Sequence, residues 1–154
     1  MVKLAANLSM MFNEYDFLDR FEAARRTGFR GVEYLFPYDY SHDQLVNLLA
    51  ENDLSQVLHN LPAGDWDAGD RGIACDPARV GEFQDSVGVA VEYATALKCP
   101  QVNCLAGRKP DNVTAEKARD IIFLIIGEGA EKEKIIELCK NKRLDNLKVI
   151  NSLN

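Results

Sequence analysis

Short apolar runs alternate with longer amphipathic ones along most of the chain, and that alternation limits the fold more than any single motif. "KLAANLSM" (Lys3–Met10) predicts a strand. Glu14–Thr27 carries Phe17, Leu18, Phe21 and Ala24 at helical spacing, and Gly28 stands where a helix would stop. "FRGVEYLF" (Phe29–Phe36) predicts the next strand, closed by Pro37. Ser41–Gln44 has the form of a capping box ahead of a helix face made by Leu45, Leu48 and Leu49. "LSQVLHN" predicts a third strand. Asp76 and Pro77 then open a long helix as N-cap and first helical residue. Its apolar stripe is Val80, Phe83, Val87, Val91 and Ala94, and "PQVNCLAG" follows as a fourth strand. A β-α-β-α-β-α-β order implies parallel strands joined by right-handed helical crossovers. The expectation is an α/β fold of parallel βα repeats.

Ligands of parallel α/β folds bind at the carboxyl ends of the strands. The polar residues there are Asn7, Ser9, Glu33, His59, Asn60 and Asn103. Carboxamides at these places can hydrogen-bond a substrate carboxylate or hydroxyl, and they can equally bind loop backbone. His59 is the only histidine at a strand end, with a side chain suited to proton transfer or to a structural hydrogen bond. Glu33 can point into a polar layer or pair with an arginine. Arg108 can neutralise the carboxylate of a small hydroxy- or keto-acid, although Lys109 beside it also suits a solvated basic turn. Between the third strand and the long helix lies "HNLPAGDWDAGDRGIAC" (His59–Cys75), aperiodic, glycine-rich and home to the sole tryptophan, Trp66. Trp66 is expected to pack against the following helix or to cover a ligand.

The net charge of −6 disfavours nucleic acid and anionic membranes as partners. The cysteines at 75, 99, 104 and 139 form no C-x-x-C pair, and two histidines give no zinc pattern, so reduced thiols are expected and no metal site is legible. No stretch of about 20 apolar residues stands in the chain, and the N-terminus lacks a signal-peptide core, which leads to the expectation of a cytoplasmic protein.

The chain changes character beyond Gly107. "IIFLIIGEG" (Ile121–Gly129) predicts a buried strand, "AEKEKIIELCKNKRLD" an amphipathic helix and "NLKVI" a last strand. Residues 121–154 carry a net +1 and the first 120 a net −7, so a junction is expected near 110–120, dividing the chain into 1–110 and 111–154. Gly127 and Gly129 could cradle a phosphate, but Glu128, Glu131 and Glu133 would repel it and suit a turn and helix cap instead.

Three segments, "LAANLSMMF", "GFRGVEYLFPYDY" and "HNLPAGDWDAGDRGIAC", resemble the hydroxypyruvate isomerase family, and "EFQDSVGVAVEYATALKCPQVNCLAG" continues the resemblance in register over about residues 1–110. The resemblance implies a xylose-isomerase-like (β/α)8 barrel. It also implies interconversion of hydroxypyruvate and tartronate semialdehyde by proton transfer through an enediol, with two glutamates and a divalent metal (Mg or Mn) as the usual agents. A full barrel has eight strands in about 250 residues, whereas five to six strands are legible here, a partial barrel. The family's catalytic glutamates and metal ligands lie from the fifth strand onward, where this chain has "LIIGEGAEKEK". Glu128 is only a weak counterpart of the first glutamate, and no residue matches the second. The segment 121–150 is similar to part of the second domain of GT-B glycosyltransferases. The reading that follows is a hydroxypyruvate-isomerase-like chain, truncated and with weak or no activity. The alternatives are a non-catalytic half-barrel or chimera, and a nucleotide-sugar-binding fragment. A small hydroxy- or keto-acid is the expected partner. An open half-barrel has unpaired strand edges that favour homo-oligomers.

Overall fold

The structure is a computed structural model that describes residues 3–114, 123–126 and 147–150. Four strands, β1 (Ala5–Asn7), β2 (Gly31–Glu33), β3 (Ser55–Asn60) and β4 (Val102–Asn103), form one sheet in the order β1-β2-β3-β4, all parallel. Helices α1 (Arg20–Arg26), α2 (His42–Glu51) and α3 (Val80–Ala96) cross between them. A doubly wound sheet reverses its strand order at a switch point, whereas this one adds each strand beside the last. That unbroken progression is the beginning of a βα barrel. Two further strands, β5 (Phe123–Ile126) and β6 (Leu147–Ile150), pair in parallel as a separate sheet. The helix expected between them, with Cys139, lies outside the described residues, as do Gly127 and Gly129.

The elements are shorter than the hydropathy runs suggest. Lys3–Met10 gives only three strand residues, because the amides of Met10 and Met11 turn back onto the Asn7 carbonyl at 3.1 and 2.8 Å. The helix expected over Glu14–Thr27 starts at Arg20, after a 3-10 turn at Phe17–Asp19, since Asp16 is extended at φ −62° and ψ 151°. Phe29–Phe36 contributes only Gly31–Glu33, and "PQVNCLAG" only Val102–Asn103. Ser41 Oγ accepts from the Gln44 amide and caps α2 as the sequence predicts. Asp76 Oδ1 accepts from the Ala78 amide, but it caps a 3-10 turn at Pro77–Arg79, and α3 itself starts only at Val80, without a side-chain cap. Gly28, at φ +97°, follows Thr27, the C-cap of α1.

The core lies between the helices and the outer face of the sheet. Ala6, Leu8, Val32 and Tyr34 pack there against Phe21 and Ala24 of α1 and Leu45 and Leu49 of α2. Phe17 and Phe21 meet the Tyr34 ring edge-on at 5.2 and 5.7 Å, and the buried Tyr34 hydroxyl donates to Gln56 Oε1. The expected stripe of α3 needs correction at one end. Val80, the first helical residue, is 48% exposed, and the fully buried positions are Ser86 and Ala90, one turn apart. The opposite, inner face of the sheet carries Ala5, Asn7, Gly31 and Glu33. A Cβ on Gly31 would lie 3.3 Å from Val57 and 3.4 Å from Ala5, so the strands pack closely here. No helix among the described residues is long and apolar enough to cross a membrane.

Candidate substrate site at the strand ends

Four of the predicted residues meet on the inner face as two hydrogen-bonded pairs. Asn7 Nδ2 donates to Glu33 Oε1 at 2.9 Å across β1 and β2, while Asn7 Oδ1 accepts from the Ser9 amide at 3.0 Å. Both ends of the Asn7 amide are therefore fixed. Ser9 Oγ in turn accepts from the Leu35 amide at 2.9 Å and ties the loop after β1 to the end of β2. Across β3 and β4, Asn103 Nδ2 donates to Asn60 Oδ1 at 2.9 Å. The Asn60 carbonyl accepts from the Tyr38 hydroxyl at 2.5 Å. The result is a row of carboxamides with a single carboxylate, each oriented by a neighbour.

His59 does not join that row, and a β-bulge is the reason. Gly31 pairs with Ser55 and Val32 with Gln56, but Glu33 pairs with Leu58, so Val57 is an extra residue in β3. One extra residue exchanges the faces of everything after it. Asn60 then falls on the inner face and His59 on the outer. The expectation that the His59 end faces a ligand is corrected accordingly: its ring is 1% exposed, wedged against α3, with Nε2 3.4 Å from the Ala90 carbonyl and the Tyr38 ring edge-on at 6.2 Å. Nδ1 is buried without a hydrogen-bond partner among the described residues. Burial pushes the imidazole below its ordinary pKa, opposed by the contact with the Ala90 carbonyl. Burial in the helix layer favours the neutral form of the ring.

Arg108 is exposed and makes no hydrogen bond or ion pair among the described residues. The neighbouring Lys109 instead bonds the carbonyls of Pro110 and Val113 at 2.9 and 2.7 Å. Glu128 lies outside the described residues. Cys75, Cys99 and Cys104 are free thiols, and burial raises the pKa of each, which disfavours the nucleophilic thiolate.

The long loop after β3 is irregular but tightly built. Asp65 Oδ1 accepts from the Ala68 amide at 2.9 Å, and Asp70 Oδ2 accepts from the Asp65 amide at 2.8 Å. Arg79 clamps this turn to α3: Nη1 reaches Asp70 Oδ2 at 2.7 Å, and Nε and Nη2 grip the two oxygens of Glu82, each at 2.7 Å. Those bonds hold the Asp70 and Glu82 carboxyls below their ordinary pKa. Gly64, at φ +82°, passes so near the clamp that a Cβ would lie 2.2 Å from Asp70 Oδ2. Further along, Gly72 bridges Ala106 and the Cys75 amide bonds the Ala106 carbonyl at 2.8 Å, so the loop is stitched to the segment after β4. Trp66 packs on Phe36 at 5.2 Å, with the Arg71 guanidinium 4.0 Å over its ring. Its partner is thus the loop after β2, not the following helix.

Beside these loops lies a cleft of about 320 Å³. Ser9, Arg20, Asp39 and Tyr40 bring polar groups to it, and Phe36 and Trp66 stand among its aromatic walls. Arg20 and Asp39 escape a reading of the sequence alone. Arg20 looks like one more polar position of an amphipathic helix, indistinguishable from Arg25 and Arg26. The described residues do not amount to a cation site. The inner face offers one carboxylate and three carboxamides, His59 is turned away, and no group of three or more His, Cys, Asp or Glu residues among those described is placed to hold a metal ion.

A family model described as xylose isomerase-like TIM barrel matches residues 21–140. Hydroxypyruvate isomerase of Escherichia coli (strain K12) is 56% identical over 117 residues, which is 76% of this chain and 45% of that protein. A 2-oxo-tetronate isomerase of Haemophilus influenzae is 41% identical over 134 residues, 87% of this chain and 52% of that protein. The crystal structure of an AP endonuclease, family 2, from Brucella melitensis matches with a TM-score of 0.75 at 35% identity, covering 97% of this chain and 67% of that one. The chain spans about half the length of the curated relatives it matches.

Proposed function

We propose, from the premise that the chain belongs to the xylose isomerase-like TIM barrel family, that it is the substrate-holding part of a hydroxypyruvate-isomerase-like enzyme acting on a small hydroxy- or oxo-acid. The observation that carries this reading is the pre-oriented polar row at the strand ends, Asn7–Glu33 and Asn60–Asn103. It occurs in a chain whose relatives are named hydroxypyruvate isomerase and 2-oxo-tetronate isomerase. The reaction converts hydroxypyruvate to tartronate semialdehyde. A proton leaves C3, an enediol forms, and a proton is delivered to C2 while the hydroxyl and carbonyl exchange places. Fixed carboxamides suit the oxygens of such a molecule, because each offers donors and an acceptor at no reorganisation cost. Glu33 is the one carboxylate in the row, and the Asn7 bond orients it as an acceptor for a substrate hydroxyl.

Proton abstraction needs a base and an acid on two sides of the carbon chain, and the described inner face supplies one carboxylate. The chain on its own is therefore expected to bind the acid and to turn it over weakly or not at all. The described residues do not fit a divalent metal. In the same reading the chain works in the cytoplasm, and the edges of its four-stranded sheet, unpaired among the described residues, favour a homo-oligomer.

The test is calorimetric titration of the folded chain with hydroxypyruvate, alongside a turnover assay with Mg²⁺ or Mn²⁺ present and then chelated. Saturable binding with little turnover is the expected result. A folded chain that binds neither hydroxypyruvate nor a four-carbon 2-oxo acid would refute the reading. Light scattering on the same sample reads the oligomeric state, and a clean monomer removes that part of the proposal.

A further inference from the structure

The geometry points to the cleft around Arg20 and Asp39 as a seat for one end of a small hydroxy acid, with Arg20 taking its carboxylate and Asp39 a hydroxyl. This rests on the hydroxy-acid reading above and adds residues that the inner-face row does not contain.

The cleft sits at the ligand-binding end of the sheet. Ser9 lies two residues past β1, Phe36 three past β2, and Trp66 in the loop after β3. Its volume of about 320 Å³ falls at the small end for ligand pockets, which span roughly 300–1,000 Å³. Arg20 is held rigidly but is not neutralised. Nη1 donates to the Leu8 carbonyl at 2.8 Å and Nε to the Tyr15 carbonyl at 3.0 Å, both uncharged acceptors. Among the described residues it has no ion pair, unlike Arg25, Arg26 and Arg79. A guanidinium carries five N–H donors in a fixed fork that matches a carboxylate, and two are engaged here. Three donors of a pinned, half-buried cation remain for a ligand.

Asp39 complements it. The carboxylate makes no hydrogen bond or ion pair among the described residues, although it lines the same cleft as an unpaired arginine. Ser9 Oγ already accepts from the Leu35 amide, which leaves its proton to donate. A cleft with one unpaired cation, one unpaired carboxylate and a free hydroxyl proton matches a molecule that carries both an acid and hydroxyl groups. A zwitterionic amino acid has the same two ends, so the test includes one.

Trp66 is the only tryptophan of the chain and stands in the cleft wall, so its fluorescence reports occupancy directly. The probes are D-glycerate, propionate, glycerol and L-serine. D-glycerate is expected to change Trp66 emission saturably and glycerol to leave it unchanged. Charge-assisted hydrogen bonds contribute enough that Arg20→Gln should weaken D-glycerate by about tenfold or more. Asp39→Asn should remove the preference for D-glycerate over propionate and leave propionate affinity unchanged or improved. Because Arg20 also pins two carbonyls, circular dichroism and melting temperature are recorded for each variant. If Arg20→Gln unfolds, the Asp39→Asn preference decides. Unchanged D-glycerate affinity in a folded Arg20→Gln chain, an unchanged preference in Asp39→Asn, or tighter binding of L-serine than of D-glycerate would each overturn the inference. Calorimetric binding of hydroxypyruvate with no Trp66 response and no dependence on Arg20 overturns this inference and leaves the proposed function standing. Absence of any hydroxy-acid binding by calorimetry overturns both.

Discussion

Replacing Gly72 by alanine tests how the long loop is fixed over the strand ends. Gly72 adopts φ +107°, and a Cβ built there would lie 2.1 Å from the Leu105 carbonyl oxygen and 2.5 Å from its carbon. Both are backbone atoms, so no flexible side chain can move aside. The approach is mutual, since a Cβ on Gly107 would lie 2.1 Å from the Gly72 carbonyl oxygen. Two costs combine in Gly72→Ala: backbone strain of about 1–3 kcal/mol for an L-residue in a sparsely populated region, and about 1–3 kcal/mol for forcing a methyl into filled space. Gly69 separates them. It has nearly the same dihedral, φ +101°, but a Cβ there meets nothing within 4 Å. Gly69→Ala should therefore show the strain alone, and the difference between the variants should be about 1–3 kcal/mol. For a chain of this size that is a melting temperature roughly 2–12 °C lower for Gly72→Ala than for Gly69→Ala. Thermal unfolding followed by circular dichroism reads it. Hydrogen exchange at the Cys75 amide, bonded to the Ala106 carbonyl, should accelerate in the Gly72 variant only. If Gly72→Ala melts at or above Gly69→Ala, the close backbone crossing is not what holds the loop.

Three other perturbations follow from the same geometry. Because burial lowers the His59 pKa in the folded chain, the unfolded chain binds the proton more readily. The contribution is thus fully present above the ordinary value of about 6.5 and is lost as pH falls below it. Urea unfolding should show stability dropping over that range, and His59→Gln should flatten the drop; an equal slope in both proteins would contradict it. Ser41→Ala removes the cap on the Gln44 amide, a bond of 3.3 Å. The cost should sit near the low end of the usual range, about 0.5–1 kcal/mol by denaturant titration, and a neutral result would mean the cap contributes nothing. Arg79→Gln breaks the clamp on Asp70 and Glu82. Acrylamide should then quench Trp66 more strongly, whereas unchanged quenching would place the control of that loop elsewhere.

What the sequence made legible differs from what it hid for a physical reason that β3 shows well. Strand existence, helix caps and parallel order follow from local chemistry, and the capping bonds of Ser41 and Asp76 form where those residue types stand. Which face a strand residue occupies follows from register, and register is a property of two strands together. In β3 strict alternation from Ser55 would have put Val57 and His59 inward and left Asn60 in the helix layer. The extra residue opposite the Val32–Glu33 step reverses that outcome for the last positions. It moves the only strand-end histidine into a dry contact with Ala90 and brings Asn60 to face Asn103. A single inserted residue thus decides whether the polar row contains an imidazole that can titrate near neutrality or an amide that cannot. The same limit applies to Arg20. Its residue type is ordinary on a helix, and its interest arises only because the carbonyls of Leu8 and Tyr15 fix it at a cleft, with no ion pair among the described residues. Both cases place the functional information in pairings such as Arg20 with Leu8, 12 residues apart, and Asn60 with Asn103, 43 apart, or across one bulge, where local pattern has no reach.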